Sequence, residues 1–151
     1  AEGICSVSTL SRIENGERMP SKNHYEMLMQ RLGYSAISMD YYTDKSDFLL
    51  HELKFKIRHA YIEKEFGQCR RLLEKLTSLT GERSTIDTQF ISLYDTLLNQ
   101  KSITMEEKLE RLEAALRLTC PQYGENFAPK VLSYEEICIL NNIILHVITN
   151  R

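Results

Sequence analysis

Residues 6–33 read SVSTLSRIENGERMPSKNHYEMLMQRLG, and the segment at the start, residues 6–16, decides how the rest of the chain is read. The Ser6 hydroxyl can accept a hydrogen bond from the free amides that open a helix, and Gly16 can take the left-handed conformation that closes one. Between these ends Leu10 and Ile13 fall on one side, with Cys5 just ahead, while Val7, Ser8, Ser11 and Arg12 fall on the other. The spacing predicts a short helix whose outer face is small, polar and carries one long cation. Pro20 then interrupts the chain and Ser21 can open a second helix. Tyr25, Leu28, Met29 and Leu32 recur at helical spacing until Gly33 ends the pattern.

The run Ser6-Val7-Ser8-Thr9-Leu10-Ser11-Arg12-Ile13-Glu14-Asn15-Gly16, followed by Arg18, Pro20 and Ser21, resembles the recognition helix and exit turn of the lambda-repressor-like (XRE) helix-turn-helix domains. The likeness covers residues 1–34. It implies a helix that lies in the major groove of double-stranded DNA with its early side chains at base edges. Carried over by position, Val7, Ser8 and Arg12 would face bases, and Ser6, Thr9, Arg18 and Lys22 would reach phosphates. An arginine in this place can pair bidentately with a guanine; the bland alternative is a surface arginine paired with Glu14 or Glu17. Val7 either meets a thymine methyl group or is an unused position. Glu14 has a structural role in the related domains, pairing with a first-helix arginine that this chain does not contain. The opening AEGICS matches only the tail of the family's second helix. The expectation is therefore a fragment of a regulator that lacks one side of the cover over Leu10, Ile13, Leu28 and Leu32, and that binds DNA poorly or not at all as it stands.

A chain of 151 residues fits one domain, or one helical array with a small appendage. With 42% apolar and 26% charged residues its composition is that of an ordinary globular protein. No stretch approaches the roughly 18 apolar residues of a membrane helix, and no signal peptide is visible. Cys5, Cys69, Cys120 and Cys138 are scattered without a CxxC pair, which predicts reduced, mostly buried thiols in a cytoplasmic protein. The formal net charge of −2 argues against strong non-specific binding to nucleic acid. Residues 1–34 hold four bases (Arg12, Arg18, Lys22, Arg31) against four acids (Glu2, Glu14, Glu17, Glu26), so even the DNA-reading segment is neutral. The DNA reading then requires Arg12, Arg18 and Lys22 to gather on one side.

Residues 35–46 read as a linker rich in Ser, Asp and Tyr, with room for a helical turn at 37–41. Beyond it the pattern changes. Leu50, Leu53, Ile57 and Tyr61 mark an amphipathic helix, Phe66-Gly67 interrupts it, and Cys69, Leu72, Leu73, Leu76 and Leu79 mark a second as far as Gly81. Helices joined so tightly form an αα-hairpin. Ile86, Phe90, Leu93, Tyr94, Leu97 and Leu98 predict a helix over 84–100. Thr104 with Glu107 forms a capping box for the next, carried by Met105, Leu109, Leu112, Ala115 and Leu116 to Thr119. Glu107–Arg111 and Glu113–Arg117 are favourable pairs one turn apart on its wet side. Pro121, Gly124 and Pro129 break the chain, Ser133 with Glu136 makes a second box, and a last helix over 134–150 would bury Ile137, Leu140, Ile144 and Val147 or Ile148.

Hairpin starts near 47, 84 and 134, with the longer step absorbed by the 119–133 loop, resemble tetratricopeptide (TPR) repeats of about 34 residues. Ala60-Tyr61, Phe66 and Cys69 fit one repeat, Ala115-Leu116-Arg117-Leu118 before Pro121 the end of a second, and Leu140-Asn141-Asn142-Ile143 the opening of a third. The last helix lacks a partner, which predicts exposed apolar surface and with it dimerisation, fraying or a continuation of the array. A helix-turn-helix followed by such repeats resembles the Rgg/PlcR-type peptide-responsive regulators of Gram-positive bacteria. The resemblance implies a right-handed superhelix that homodimerises and holds a signalling peptide or a protein segment on its concave face. Register against the repeat points Phe55, His59, Ile62, Gln89, Tyr94 and Asn141 inward; an asparagine amide can satisfy both donors and acceptors of a peptide backbone. For Asn141 and Asn142 helix packing is the alternative.

Nothing in the sequence points to catalysis, a cofactor or a metal site. His24, His51, His59 and His146 form no HExxH, and His59 with Glu63 one turn on is commonly a plain surface pair. The expectation is an all-α, non-enzymatic, cytoplasmic transcriptional regulator: a partial helix-turn-helix over 1–34, a linker, and TPR-like hairpins over 47–151. The alternative is a helical TPR-type interaction adaptor that does not bind DNA.

Overall fold

The computed structural model describes residues 3–33, 45–79, 84–124 and 131–149, and everything regular among them is helical. The order is α1 (Val7–Glu14), α2 (Lys22–Arg31), α3 (Lys45–Ile62), α4 (Phe66–Leu79), α5 (Thr85–Asn99), α6 (Met105–Arg117) and α7 (Tyr134–Thr149). The all-α expectation holds. The expected linker falls outside the described residues as far as position 44, as does the turn at 37–41, and α3 already begins at Lys45.

The local signals at the amino end operate as read. Ser6 caps α1 by accepting the Thr9 amide at 3.2 Å, and Ser21 caps α2 by accepting the His24 amide at 3.3 Å. At the far end of α1 the Gly16 amide donates to the Ile13 carbonyl and the Glu17 amide to that of Arg12, with Gly16 at φ 72°. This reciprocal pair closes a helix with a left-handed residue just beyond its cap. The side chains fall differently. In α2 the buried residue is Met27, while Leu28 is half-buried and Leu32 exposed. The cause is that α2 lies against α5.

α3 and α4 form the first hairpin, α5 and α6 the second, and α7 packs on α6 and α5. Their buried residues make one cluster: Leu53, Ile57 and Ala60; Cys69, Leu73 and Leu76; Phe90, Leu93, Tyr94 and Leu97; Leu112, Ala115 and Leu116; Ile139 and Ile143. α5 sits at the centre, touching α2, α4, α6 and α7. Two expectations shift. The break between α3 and α4 falls at residues 63–65, with Lys64 at φ 62°, and Gly67 lies inside α4. Second, α7 buries Ile139 and Ile143, while Ile137 and Ile144 face solvent. α7 is apolar nearly all round, so periodicity alone does not choose its inward face. Met105 is likewise exposed rather than in the core.

Candidate functional site

α1 buries none of its residues. Val7 is 82% exposed, Ser8, Ser11 and Arg12 are exposed, and Leu10 and Ile13 are half-buried beneath them. The Ser6 hydroxyl lies 2.9 Å from the Thr9 hydroxyl and 3.0 Å from that of Ser8, so cap and outer face share one local network. Arg18 and Lys22 are exposed as well. Among the described residues neither Arg12 nor Arg18 has an ion-pair partner, so the bland pairing of Arg12 with Glu14 or Glu17 does not form.

The next helix, α2, is fastened to the hairpins at both ends. Near its start, the Asn23 side-chain oxygen accepts the Thr85 amide at 3.0 Å, satisfying a free donor at the head of α5. Glu26 shares that corner with Asp87; burial first, and the Asp87 charge second, push its carboxyl above the usual range. Asp87 is paired with Lys54 of α3 and moves the other way, because Lys54 and Ser84 outweigh its burial.

At its end, α2 sends Arg31 into a fork. The guanidinium donates to both Glu136 oxygens at 2.7 and 2.8 Å, to the Thr119 carbonyl at 2.8 Å and to the Val131 carbonyl at 3.0 Å. Glu136 is 0% exposed. It also accepts the Thr119 hydroxyl at 2.5 Å, the Cys120 thiol at 3.2 Å and the Ser133 amide at 2.8 Å. Burial alone would raise its carboxyl, but Arg31, Thr119 and Ser133 outweigh burial and hold it below the usual range. The Cys120 thiol, buried beside that carboxylate, is pushed up to about 11. The capping box read from Ser133 and Glu136 is present, the Glu136 amide donating back to the Ser133 hydroxyl at 3.2 Å. What the sequence does not disclose is that the same carboxylate holds an arginine 105 positions away.

The first turn of α7 has a second anchor. Arg58 of α3 donates to Glu135 at 2.8 and 2.5 Å, and its guanidinium lies 5.2 Å from the Phe90 ring and 5.6 Å from that of Tyr134. Two adjacent acids at a helix start suit the helix dipole. That pattern, in an otherwise apolar helix, is the signal that could have marked both.

One turn further along α7 a cleft of about 400 Å³ opens between α3, α4, α5 and α7. Tyr61, Ile62, Lys64 and Phe66 line one side, Tyr94 and Leu97 the floor, and Tyr134, Cys138, Asn141 and Asn142 the other side. Of the six residues expected to face a peptide, the cleft brings together Ile62, Tyr94 and Asn141. Phe55 and His59 are exposed but do not line it. Gln89 is the correction: it is 1% exposed, and its amide donates to the Ala115 carbonyl at 3.1 Å and the Thr119 hydroxyl at 2.6 Å, inside the core. Lys64 and Phe66 were missed because the hairpin turn was placed two residues late.

No group of side chains among the described residues could hold a metal ion, and no described helix is long and apolar enough to cross a membrane. All four cysteines are free thiols, Cys69 and Cys120 buried and Cys5 and Cys138 partly so. No protein-family model matches the chain, and no match is found among curated proteins or solved structures.

Proposed function

We propose that this chain is part of a sequence-specific DNA-binding transcriptional regulator whose helical hairpins take a peptide or protein segment and pair with a second copy. The observation that carries the reading is the outer face of α1. A capped helix with no buried residue presents Val7, Ser8 and Arg12 to solvent, and Arg12 has no ion-pair partner among the described residues. A face that small lets a helix approach a groove closely, and a free guanidinium is suited to a guanine edge.

The cleft between α3 and α7 supports a ligand role for the hairpins. Asn141 and Asn142 offer amides, Tyr61, Phe66 and Leu97 offer apolar area, and among the described residues Lys64 is the one charged side chain on its walls. Pairing with a second copy is supported by α7, where Ile137, Ile144 and Ile148 form an exposed stripe with Asn141 between them.

Selection from random duplexes with the full-length gene product tests the reading. It should enrich one two-part sequence, and substituting Arg12 should relax one base of it; enrichment of nothing at moderate salt, with folding intact, overturns it. The charge balance of residues 1–34 favours the second reading, an interaction adaptor without DNA binding, and that outcome would favour it further.

A further inference from the structure

Three observations meet at the first two turns of α7. Glu136, fully buried, grips Arg31 at the end of α2 in a two-point ion pair. Glu135, next to it, grips Arg58 of α3. Tyr134, Cys138, Asn141 and Asn142, on the same stretch, form one wall of the cleft. The helix that forms one wall of the cleft is therefore the helix that holds the end of α2, and residues 15–21 join α2 to α1.

We propose that Arg31 and Glu136 are positioning residues through which the placement of α7 sets the placement of α2, to which residues 15–21 join α1. This deepens the regulator reading by naming its control element. The physical reason is the directionality of the pair. A guanidinium fork fixed on both carboxylate oxygens, on two carbonyls and beside the Cys120 sulfur cannot rotate without breaking several bonds at once. Its carboxylate partner is packed without access to water, so no solvent can substitute for a lost contact. A shift of α7 must then be followed by α2 or must break the pair. The Asn23–Thr85 bond at the other end of α2 supplies a second attachment, on α5. An occupant wedged against Asn141 and Tyr134 would press α7 away from the wall formed by Tyr61, Ile62 and Phe66.

The test needs neither DNA nor a known ligand. Asn141→Trp fills the cleft and stands in for an occupant, and amide hydrogen exchange reads residues 7–14 and 22–31. With the ion pair intact, the filled cleft should change protection of those segments by about fivefold or more. With Arg31→Lys, which keeps the charge and loses the fork, the same filling should leave them unchanged. Glu135→Gln, which frees α7 from α3 but not from α2, should preserve the transmitted change. Equal effects in the Arg31→Lys and unmodified backgrounds, or none in the unmodified one, would overturn the proposal. Should Arg31→Lys fail to fold, exchange of the unmodified chain against denaturant decides: residues 22–31 and 134–143 should open as one unit, and separate openings would overturn the proposal. A negative here leaves the DNA-binding reading standing, and a failed DNA selection leaves this coupling standing, so the two are separable.

Discussion

Helices α1 and α3 end by the same scheme of hydrogen bonds, one with Gly16 in the left-handed position and the other with Lys64. In α3 the Lys64 amide donates to the Tyr61 carbonyl and the Glu65 amide to that of Ala60, matching the Gly16 and Glu17 bonds at the end of α1. The support behind each end differs. α1 has no buried residue, so its boundaries depend on the cap and the glycine. α3 buries Leu53, Ile57 and Ala60 and stacks Tyr61 edge-on against Phe66 and Tyr94, at 5.8 and 5.7 Å between ring centres. A helix end written in local residues survives only with those residues. An end imposed by packing can tolerate a residue that disfavours it.

The largest effect should come from removing that packing. Ile57→Ala opens a cavity in a site with no solvent access and should lower global stability by about 3–4 kcal/mol. A urea titration by circular dichroism reads it. A loss under about 1 kcal/mol would mean that the hairpin does not hold the end of α3 and that the comparison fails.

Next is the attachment of α2 to the hairpins. Glu136→Ala leaves Arg31 partly buried without its carboxylate and should cost about 3 kcal/mol, as broken buried ion pairs do. Acid should reproduce part of this. The folded Glu136 carboxyl lies below its ordinary 4.5, so the stability it gives is complete above that pH and is lost as pH falls through the depressed value. Replacing Glu136 should flatten the acid limb of a stability–pH curve, and an unchanged limb would show that other carboxylates set it.

The sequence disclosed what is local and concealed what is distant. Both serine caps, the Gly16 stop, the Thr104 cap and the Glu107–Arg111 and Glu113–Arg117 pairs at 2.7 and 3.0 Å were legible because their partners lie within one turn. The inward face of α7 was not, since Ile137, Ile139, Ile143 and Ile144 are equally apolar and Arg31 and Arg58, from elsewhere, decide its rotation. Gln89 was misread for a related reason: its two acceptors come from α6 and the turn after it. The site follows the same rule. The outer face of α1 was visible as a pattern, whereas the cleft depends on four helices meeting.

Smaller effects separate the two helix ends directly. Gly16→Ala meets no neighbouring atom, so its cost is backbone strain alone, about 1 kcal/mol and confined to α1. Lys64→Gly relieves the same strain and should stabilise the hairpin by about 1 kcal/mol. If thermal melts shift the same way for both, the two ends are not governed by one conformational preference. Ser6→Ala should cost about 1 kcal/mol, visible as faster amide exchange across residues 7–10 with the global melt unmoved.

The smallest effect on stability belongs to Arg12, and it divides the two ends most sharply by purpose. Its guanidinium touches nothing charged among the described residues, so Arg12→Ala should change the urea midpoint by no more than about 0.5 kcal/mol. If that side chain reads a guanine, the same substitution should cost about 1–3 kcal/mol in binding to the preferred duplex and relax one base position. A folding loss with unchanged base preference would make Arg12 a structural residue and leave α1 without a reason for its bare outer face. A binding loss spread evenly over all sequences would instead place Arg12 on a phosphate, where it adds affinity without reading bases.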